Sequence, residues 1–397
     1  MNGSLSGILV LDLTWILSGP YCTMILGDQG AEIIKIERPG IGDGARGTGP
    51  FVNDESAYFM SLNRNKHGLT LDLTTEAGKS IFLRLAEIAD VVVENFRPGT
   101  MKKLGLDHSV LMERNPQLIY CSISGFGMNG PYGNRSALDA IVQGMGGIMS
   151  ITGNEGGDPV RIGSSVGDIT AGLYAVIGIL SALHERTSSN MGQLIDLSML
   201  DCQVALQENA IGRFLATGEI PVPLGTRHPS ATPFQAFETN DGWIVIAIFG
   251  GASPHWPLLC SALNHVELID DERFQSSWDR TQNRDELIPI MSDVLRNKTT
   301  QEWLDELVPL GIPCGPVNSI DQVISDPQVN FREMIVERDH DRLGTWKFIN
   351  TPIKMSRTPG GIYKNPPDLG GDSRDVLHKL LNLSNDEMDD LENKGII

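Results

Sequence analysis

The stretch GILVLDLTWILSGPYCTMILGDQGAEIIKIERPG, residues 7–40, sets the fold class. Gly7 to Leu13 is an apolar run broken only by Asp12, short enough for a strand and buried on both faces. Ser18, Gly19 and Pro20 then supply turn formers ahead of a short helix, and Ala31 to Ile36 is a second apolar run. Strand, helix and strand in this order make one crossover unit. Further along, Thr75 as N-cap and Glu76 in the first turn start a helix whose Ile81, Leu85 and Ile88 recur at helical spacing. Strands follow at Val91 to Val93 and Leu118 to Ile123. Strands alternating with helices in this way pair in parallel, so the first half reads as an α/β, Rossmann-like open parallel sheet.

Glycine is dense between Gly125 and Gly157, and a long amphipathic helix then opens at Gly167-Asp168. Ile169, Leu173, Val176, Ile177, Leu180 and Leu183 share one face of it, which is expected to be the buried one. Pro221, Pro223, Pro229 and Pro233 mark a linker, and Trp243 to Phe249 begins a second, smaller domain of α+β type. Asn283 with Glu286 and Thr299 with Glu302 stand at capping-box spacing, and Gly311-Ile312-Pro313 ends the later helix. A polar amphipathic helix is expected near Ser373 to Leu381.

The chain carries 31 Lys and Arg against 50 Asp and Glu, a net charge of -19. That balance argues against a nucleic-acid footprint and against docking on an anionic membrane. Five scattered cysteines without a CxxC pair disfavour a disulfide framework or a zinc site, and the histidines show no HxH or HExxH grouping. No metal is expected. The first residues lack a basic segment, and no stretch reads as long and apolar enough to span a bilayer, so the expectation is a soluble, cytoplasmic protein. No P-loop occurs. Gly125-Phe126-Gly127-Met128-Asn129-Gly130 matches GxGxxG after a strand, yet Pro131, Tyr132 and Gly133 follow at once. No helix opens there to offer its amides to a pyrophosphate.

Asp168 admits two readings. An aspartate at a helix start is a favoured cap, and a carboxylate at that positive end beside glycine is also poised as a nucleophile. The surrounding sequence weighs between them. LDLTWILSGP (11–20), IIKIERPG (33–40), VVVENFRPG (91–99), GFGMNGPYGNRSALDAIVQGMGG (125–147) and SVGDITAGLYAVIGILSALHER (165–186) stand in one order along the chain. With these blocks the chain resembles the class III coenzyme A transferases, which include formyl-CoA and carnitine CoA transferases and the related acyl-CoA racemases.

The resemblance implies that Asp168 attacks the donor thioester and carries first an acyl anhydride, then a thioester to coenzyme A. Coenzyme A and its thioesters would be substrates, with no permanently bound cofactor. The CoA contacts fall on Ser18, Arg38, Leu71, Asp72, Leu73, Thr74, Asn95, Phe96, Arg97, Lys103, Ala137, Leu138 and Asp139. Arg38, Arg97 and Lys103 are then the local basic cluster that a polyanionic ligand needs on an acidic protein. Domain limits implied are 1–200 for the large CoA-binding domain, 201–225 for a linker, 226–325 for the small domain and 326–397 for a segment returning to the large one. The resemblance also implies an interlocked homodimer.

Two positions depart from the family's pattern. Racemases have a histidine where this chain has Leu138, and leucine exchanges no proton, so an epimerase is the weaker alternative. Formyl-CoA transferases carry a longer glycine run where Gly250-Gly251 stands here. Arg227 and His228, at the start of the small domain, are candidates for meeting a second carboxylate, which favours a dicarboxylic partner such as succinate. A CoA-binding protein without catalysis is the alternative from another class.

Overall fold

Parallel pairing needs strands that are apolar on both faces. The computed structural model, which describes residues 3–250 and 254–397, has them: Val10, Leu11, Ile33, Ile34, Val91, Val92, Val93 and Ile119 are fully buried. Strands β1 (Leu9–Asp12), β2 (Glu32–Glu37), β3 (Lys66–Thr70), β4 (Val91–Glu94), β5 (Ile119–Ser124) and β6 (Leu194–Ser198) form one sheet. Its order is β3-β2-β1-β4-β5-β6, with every neighbouring pair parallel. The order reverses between β1 and β4, and at such a switch point the loops beyond the strand ends part into a crevice. The sequence reading missed β3 and β6. Both are edge strands, where one flank is unpaired and Lys66, His67 and Asp196 are tolerated.

Helices α1 (Ser18–Asp28), α2 (Ala57–Leu62), α3 (Glu76–Ile88), α4 (Thr100–Leu104), α5 (Asp139–Met145), α6 (Val166–Ser189), α7 (Met199–Leu206) and α8 (Glu208–Thr217) accompany the sheet. One apolar core joins Leu11, Ile34 and Val92 to Phe82 and Leu85 of α3 and to Val376, Leu377, Met388 and Ile396 near the chain's end. The other joins Val10, Ile33, Val91 and Ile119 to Cys22 and Leu26 of α1 and to Ala171, Ala175 and Ile179 of α6. The sheet is thus covered on both faces. The Asp72 N–H donates to the Ile396 carbonyl at 2.8 Å, so the final residues brace the loop after β3.

Two sequence expectations for α6 are corrected. Its buried residues are mostly small, Gly167, Ala171, Gly172, Ala175 and Ala182 together with Val176 and Ile179, so of the expected face Val176 is buried whereas Leu173, Ile177 and Leu180 are 43%, 57% and 40% exposed. Small side chains let α6 approach α1 and the strands closely, which leaves the large ones outward. By length and composition α6 is also sufficient to cross a membrane, contrary to the reading that no stretch was. In this structure it packs on α1, α5, α7, β5 and β6.

The chain divides into two units: residues up to Met149 with Arg161–Glu219 and Gln328–Ile397, and Ser150–Val160 with Ile220–Pro327. The second has a three-stranded antiparallel sheet, Cys314–Pro316, Trp243–Ala247 and Phe234–Glu238, over its own core of Phe237, Ile244, Trp256, Leu259 and Trp303. The capping box at Thr299 and Glu302 is present. Asn283 caps nothing with its side chain, because its amide donates back to Asp279 and Arg273 carbonyls; the box in that region is Ser276 with Asp279.

Candidate active site

The switch point is occupied by a cleft of about 340 Å³. Its walls are the loop after β1 (Leu13, Thr14, Trp15), the end of β2 (Ile36, Glu37, Arg38), Leu71 to Thr74 after β3, Phe96 after β4, and Thr100 and Leu104 of α4. Arg38, Leu71, Asp72, Leu73, Thr74 and Phe96, all named from the sequence, therefore meet in one place. Asp72 is held below the usual carboxylate range by the Thr74 hydroxyl and N–H, at 2.6 and 2.9 Å, with Arg38 adding to the effect. Arg97 and Lys103 are exposed beside Phe96 and on α4. Among the described residues, none of Arg38, Arg97 and Lys103 enters an ion pair. On a chain so rich in acids, Arg38 in the cleft wall, with Arg97 and Lys103 next in sequence to the wall residues Phe96 and Leu104, makes a place for an anion.

Asn95 also has a structural role. Its carbonyl accepts from Trp15 N at 2.9 Å, and its amide donates to Trp15 O at 2.9 Å and to Ser18 Oγ at 3.2 Å. It thereby ties the loop after β4 to the loop after β1. The latter is also gripped from below by buried charge. Lys35 Nζ reaches Thr14 O and Asp43 Oδ2, both at 2.9 Å, and Asp43 Oδ1 accepts from Ile16 N at 2.9 Å. Ile16, with φ of 65°, is a β-branched residue in the left-handed region and is kept there by that bond. Lys66 pairs with Asp12 at 2.9 Å and donates to Pro20 O at 3.1 Å. Burial pulls the Lys66 ammonium down to about 8, against the Asp12 charge. Burial would raise the Asp12 carboxyl, but Lys66 and Lys35 hold it below its ordinary value.

Helix α6 starts two residues before the aspartate. Ser165 is the N-cap, without a side-chain cap bond, and Asp168 is the third residue of the first turn, so Asp168 is not the cap. The cap comes from α5: Asp139 Oδ1 accepts from Gly167 N at 2.8 Å. A Cβ on Gly167 would lie 3.0 Å from that oxygen and 2.7 Å from Val142, so only glycine admits the approach. One turn on, a Cβ on Gly172 would lie 2.7 Å from Ser18 O. The contact there seats α1 on α6 and brings the Ser18 hydroxyl to the Asp168 carboxylate as a hydrogen-bond donor. Because Asn95 donates to Ser18 Oγ, the hydroxyl proton is left for the carboxylate.

Burial, and then the neighbouring Asp139 charge, push Asp168 up to about 7, with Ser18 opposing. A carboxyl at that value exchanges between acid and nucleophile near neutrality. Asp139 Oδ2 takes Gln143 Nε2 at 2.8 Å and faces Arg161 at 3.5 Å. Tyr58 of α2 lies in the same field; burial, followed by the charges of Asp168, Asp43 and Asp139, pushes its phenol up to about 12. Ala137 packs on the core, while Leu138 is 71% exposed. Glu94, at the end of β4, is buried and pushed up to about 7, and it accepts from Phe96 N at 2.8 Å. Tyr58, Glu94, Arg161 and the Lys35–Asp43 pair were not found from sequence.

Arg227 and His228 belong to the second unit. Arg227 Nε donates to Leu224 O at 3.1 Å, and its terminal nitrogen pairs with Glu155, so that guanidinium is already engaged. His228 stacks on Phe234 at 4.9 Å and accepts from Ser230 N at 3.1 Å. Gly250 has φ of 90°, and Gly251 lies outside the described residues.

Known proteins resemble the chain from end to end. The model of CoA-transferase family III matches residues 5–373. A succinyl-CoA:glutarate CoA-transferase of Mus musculus is 39% identical over 394 residues, spanning 99% of this chain and 90% of the relative. A succinyl-CoA:mesaconate CoA-transferase of Haloarcula hispanica is 41% identical over 374 residues, 90% of this chain and 92% of the relative. The crystal structure of a CAIB/BAIF family protein from Brucella suis superposes with a TM-score of 0.85 at 37% identity, covering 96% of this chain and all of that one.

Proposed function

The chain belongs to CoA-transferase family III, and we propose that it moves coenzyme A from a dicarboxylic acyl-CoA such as succinyl-CoA to a free carboxylic acid, with Asp168 as the covalent carrier. The observation that carries the reading is the Asp168 carboxyl itself, presented in the first turn of α6, half-buried and hydrogen-bonded by Ser18 beside the cleft loop. An Asp168 oxygen attacks the donor carbonyl; the carbon–sulfur bond breaks, CoA leaves as thiolate and a mixed anhydride forms. The thiolate then attacks the aspartyl carbonyl, releasing the donor acid and leaving an aspartyl-CoA thioester. The acceptor carboxylate attacks that carbonyl, CoA leaves again, and its return to the acceptor acyl carbon frees Asp168. No proton is consumed.

Arg38, Arg97 and Lys103 take the phosphates of CoA, Arg as a planar fork and Lys as a point charge. Leu71 to Thr74 and Phe96 form the wall along which the ligand lies, and Ala137 to Asp139 border the nucleophile. The dicarboxylic partner is supported by the activities named for the relatives. A homodimer, as the family resemblance implied, is supported by apolar surface without cover: α8 buries none of its residues, and Leu173 and Ile177 of α6 are exposed. The five cysteines are free, which suits a reducing cytoplasm.

Incubation with succinyl-CoA followed by hydroxylamine and peptide mass spectrometry tests the proposal. A hydroxamate at Asp168 is expected, and none in Asp168→Ala. Transfer at the normal rate by Asp168→Ala would overturn it.

A further inference from the structure

We propose that Arg161 anchors the distal carboxylate of the dicarboxylic acyl group and so sets the thioester carbonyl over Asp168. This rests on the dicarboxylic reading above. A second negative charge brought to a place that already holds Asp139 and Asp168, on a chain of net charge -19, is repelled unless a cation answers it. Among the described residues, Arg161 is the cation in ion-pair contact with Asp139, the carboxylate next to Asp168.

The pair it makes is loose. Asp139 is held by Gly167 N and Gln143 Nε2, each at 2.8 Å, while the Arg161 nitrogen stands at 3.5 Å, well outside the roughly 2.7–2.9 Å of a charge-assisted bond. The Arg161 side chain is 48% exposed, and a guanidinium has five donors of which this contact engages one edge. Its backbone, in contrast, is fixed. Gln143 is fully buried, donates to Asp139 and accepts from Ile162 N at 2.9 Å, so one side chain registers Arg161 against the cap of α6. Arg227 lacks that freedom, being spent on Leu224 O and Glu155.

Asp139 links Arg161 to the turn that carries the nucleophile. Asp139 grips the N–H of the residue before Asp168, so the free edge of Arg161 lies one carboxylate away from the nucleophile's turn. The two carboxyl carbons of a succinyl group are roughly 4 Å apart by standard bond lengths. A monocarboxylic acyl group of the same length has nothing to offer the guanidinium.

The test compares kcat/KM for succinyl-CoA and butyryl-CoA, with one common acceptor, in wild type, Arg161→Gln and Arg161→Lys. Arg161→Gln is expected to lower the succinyl-to-butyryl ratio by roughly 10- to 100-fold, the worth of one hydrogen-bonded charge pair, and Arg161→Lys to keep part of it. Circular dichroism and thermal unfolding verify that the variants fold. A wild-type preference for succinyl-CoA that persists in Arg161→Gln, including an equal fall for both donors, overturns the role of Arg161 and leaves the dicarboxylic reading standing. A wild type without that preference overturns both.

Discussion

Asp168 must be charged to attack, yet burial and Asp139 push it up to about 7. Activity is therefore expected to fall on the acid side of neutrality, where the carboxyl is protonated, and to level off above it. Ser18→Ala removes the bond that opposes burial and should carry this acid limb upward by about one pH unit; Asp139→Asn removes a like charge and should carry it down by a similar amount. Rate–pH profiles of the three proteins decide, and a limb that stays put in both variants would refute the assignment. Glu94, also near 7, serves as the control, since Glu94→Gln should leave the limb in place. Stability follows the same sign. The folded value of Asp168 is raised, so its contribution is full below about 4 and lost as pH rises through 7. The uncharged Asp168→Asn protein should then unfold at a temperature about 1–2 °C above wild type at pH 8, measured by calorimetry, the effect being modest for a half-exposed group.

At the scale of elements, the site depends on how α1 and α6 meet. Gly172→Ala forces a methyl to 2.7 Å from the Ser18 carbonyl, where the obstacle is backbone and cannot turn aside. A loss of about 1–3 kcal/mol is expected from overpacking, together with lower kcat as Ser18 is driven off Asp168; denaturant titration and steady-state rates check both. Lys35→Met leaves Asp43 buried without its cation and should cost about 3–5 kcal/mol, and Lys35→Met with Asp43→Asn should recover part of it. Local features of this kind were legible in sequence only when the partners are near. Thr75 and Thr299 cap helices by bonds to residues three places on, and both were readable. The cap of α6 reaches back 28 residues to Asp139, so the helix start was placed on Asp168 itself. The outward turn of Leu173, Ile177 and Leu180 escaped for a related reason: periodicity shows that a face is apolar, not whether this chain covers it.

For the whole molecule, the central strands were legible because two buried faces demand continuous apolar runs, and β3 and β6 were not, because an edge relaxes that demand. The cleft was legible as residues and became a place only through strand order. Arg38 after β2, Leu71 after β3 and Phe96 after β4 are far apart in sequence and meet beyond the strand ends. The 43.3 kDa chain is expected to sediment at twice that mass, and a monomer at micromolar concentration would refute the dimer. The bare apolar side of α8, where Phe214 and Leu215 are 44% and 76% exposed, carries one more consequence. If a second copy shields it, survival against heat becomes a matter of stoichiometry: each tenfold dilution should lower the melting point, as mass action requires of subunits that stabilise one another.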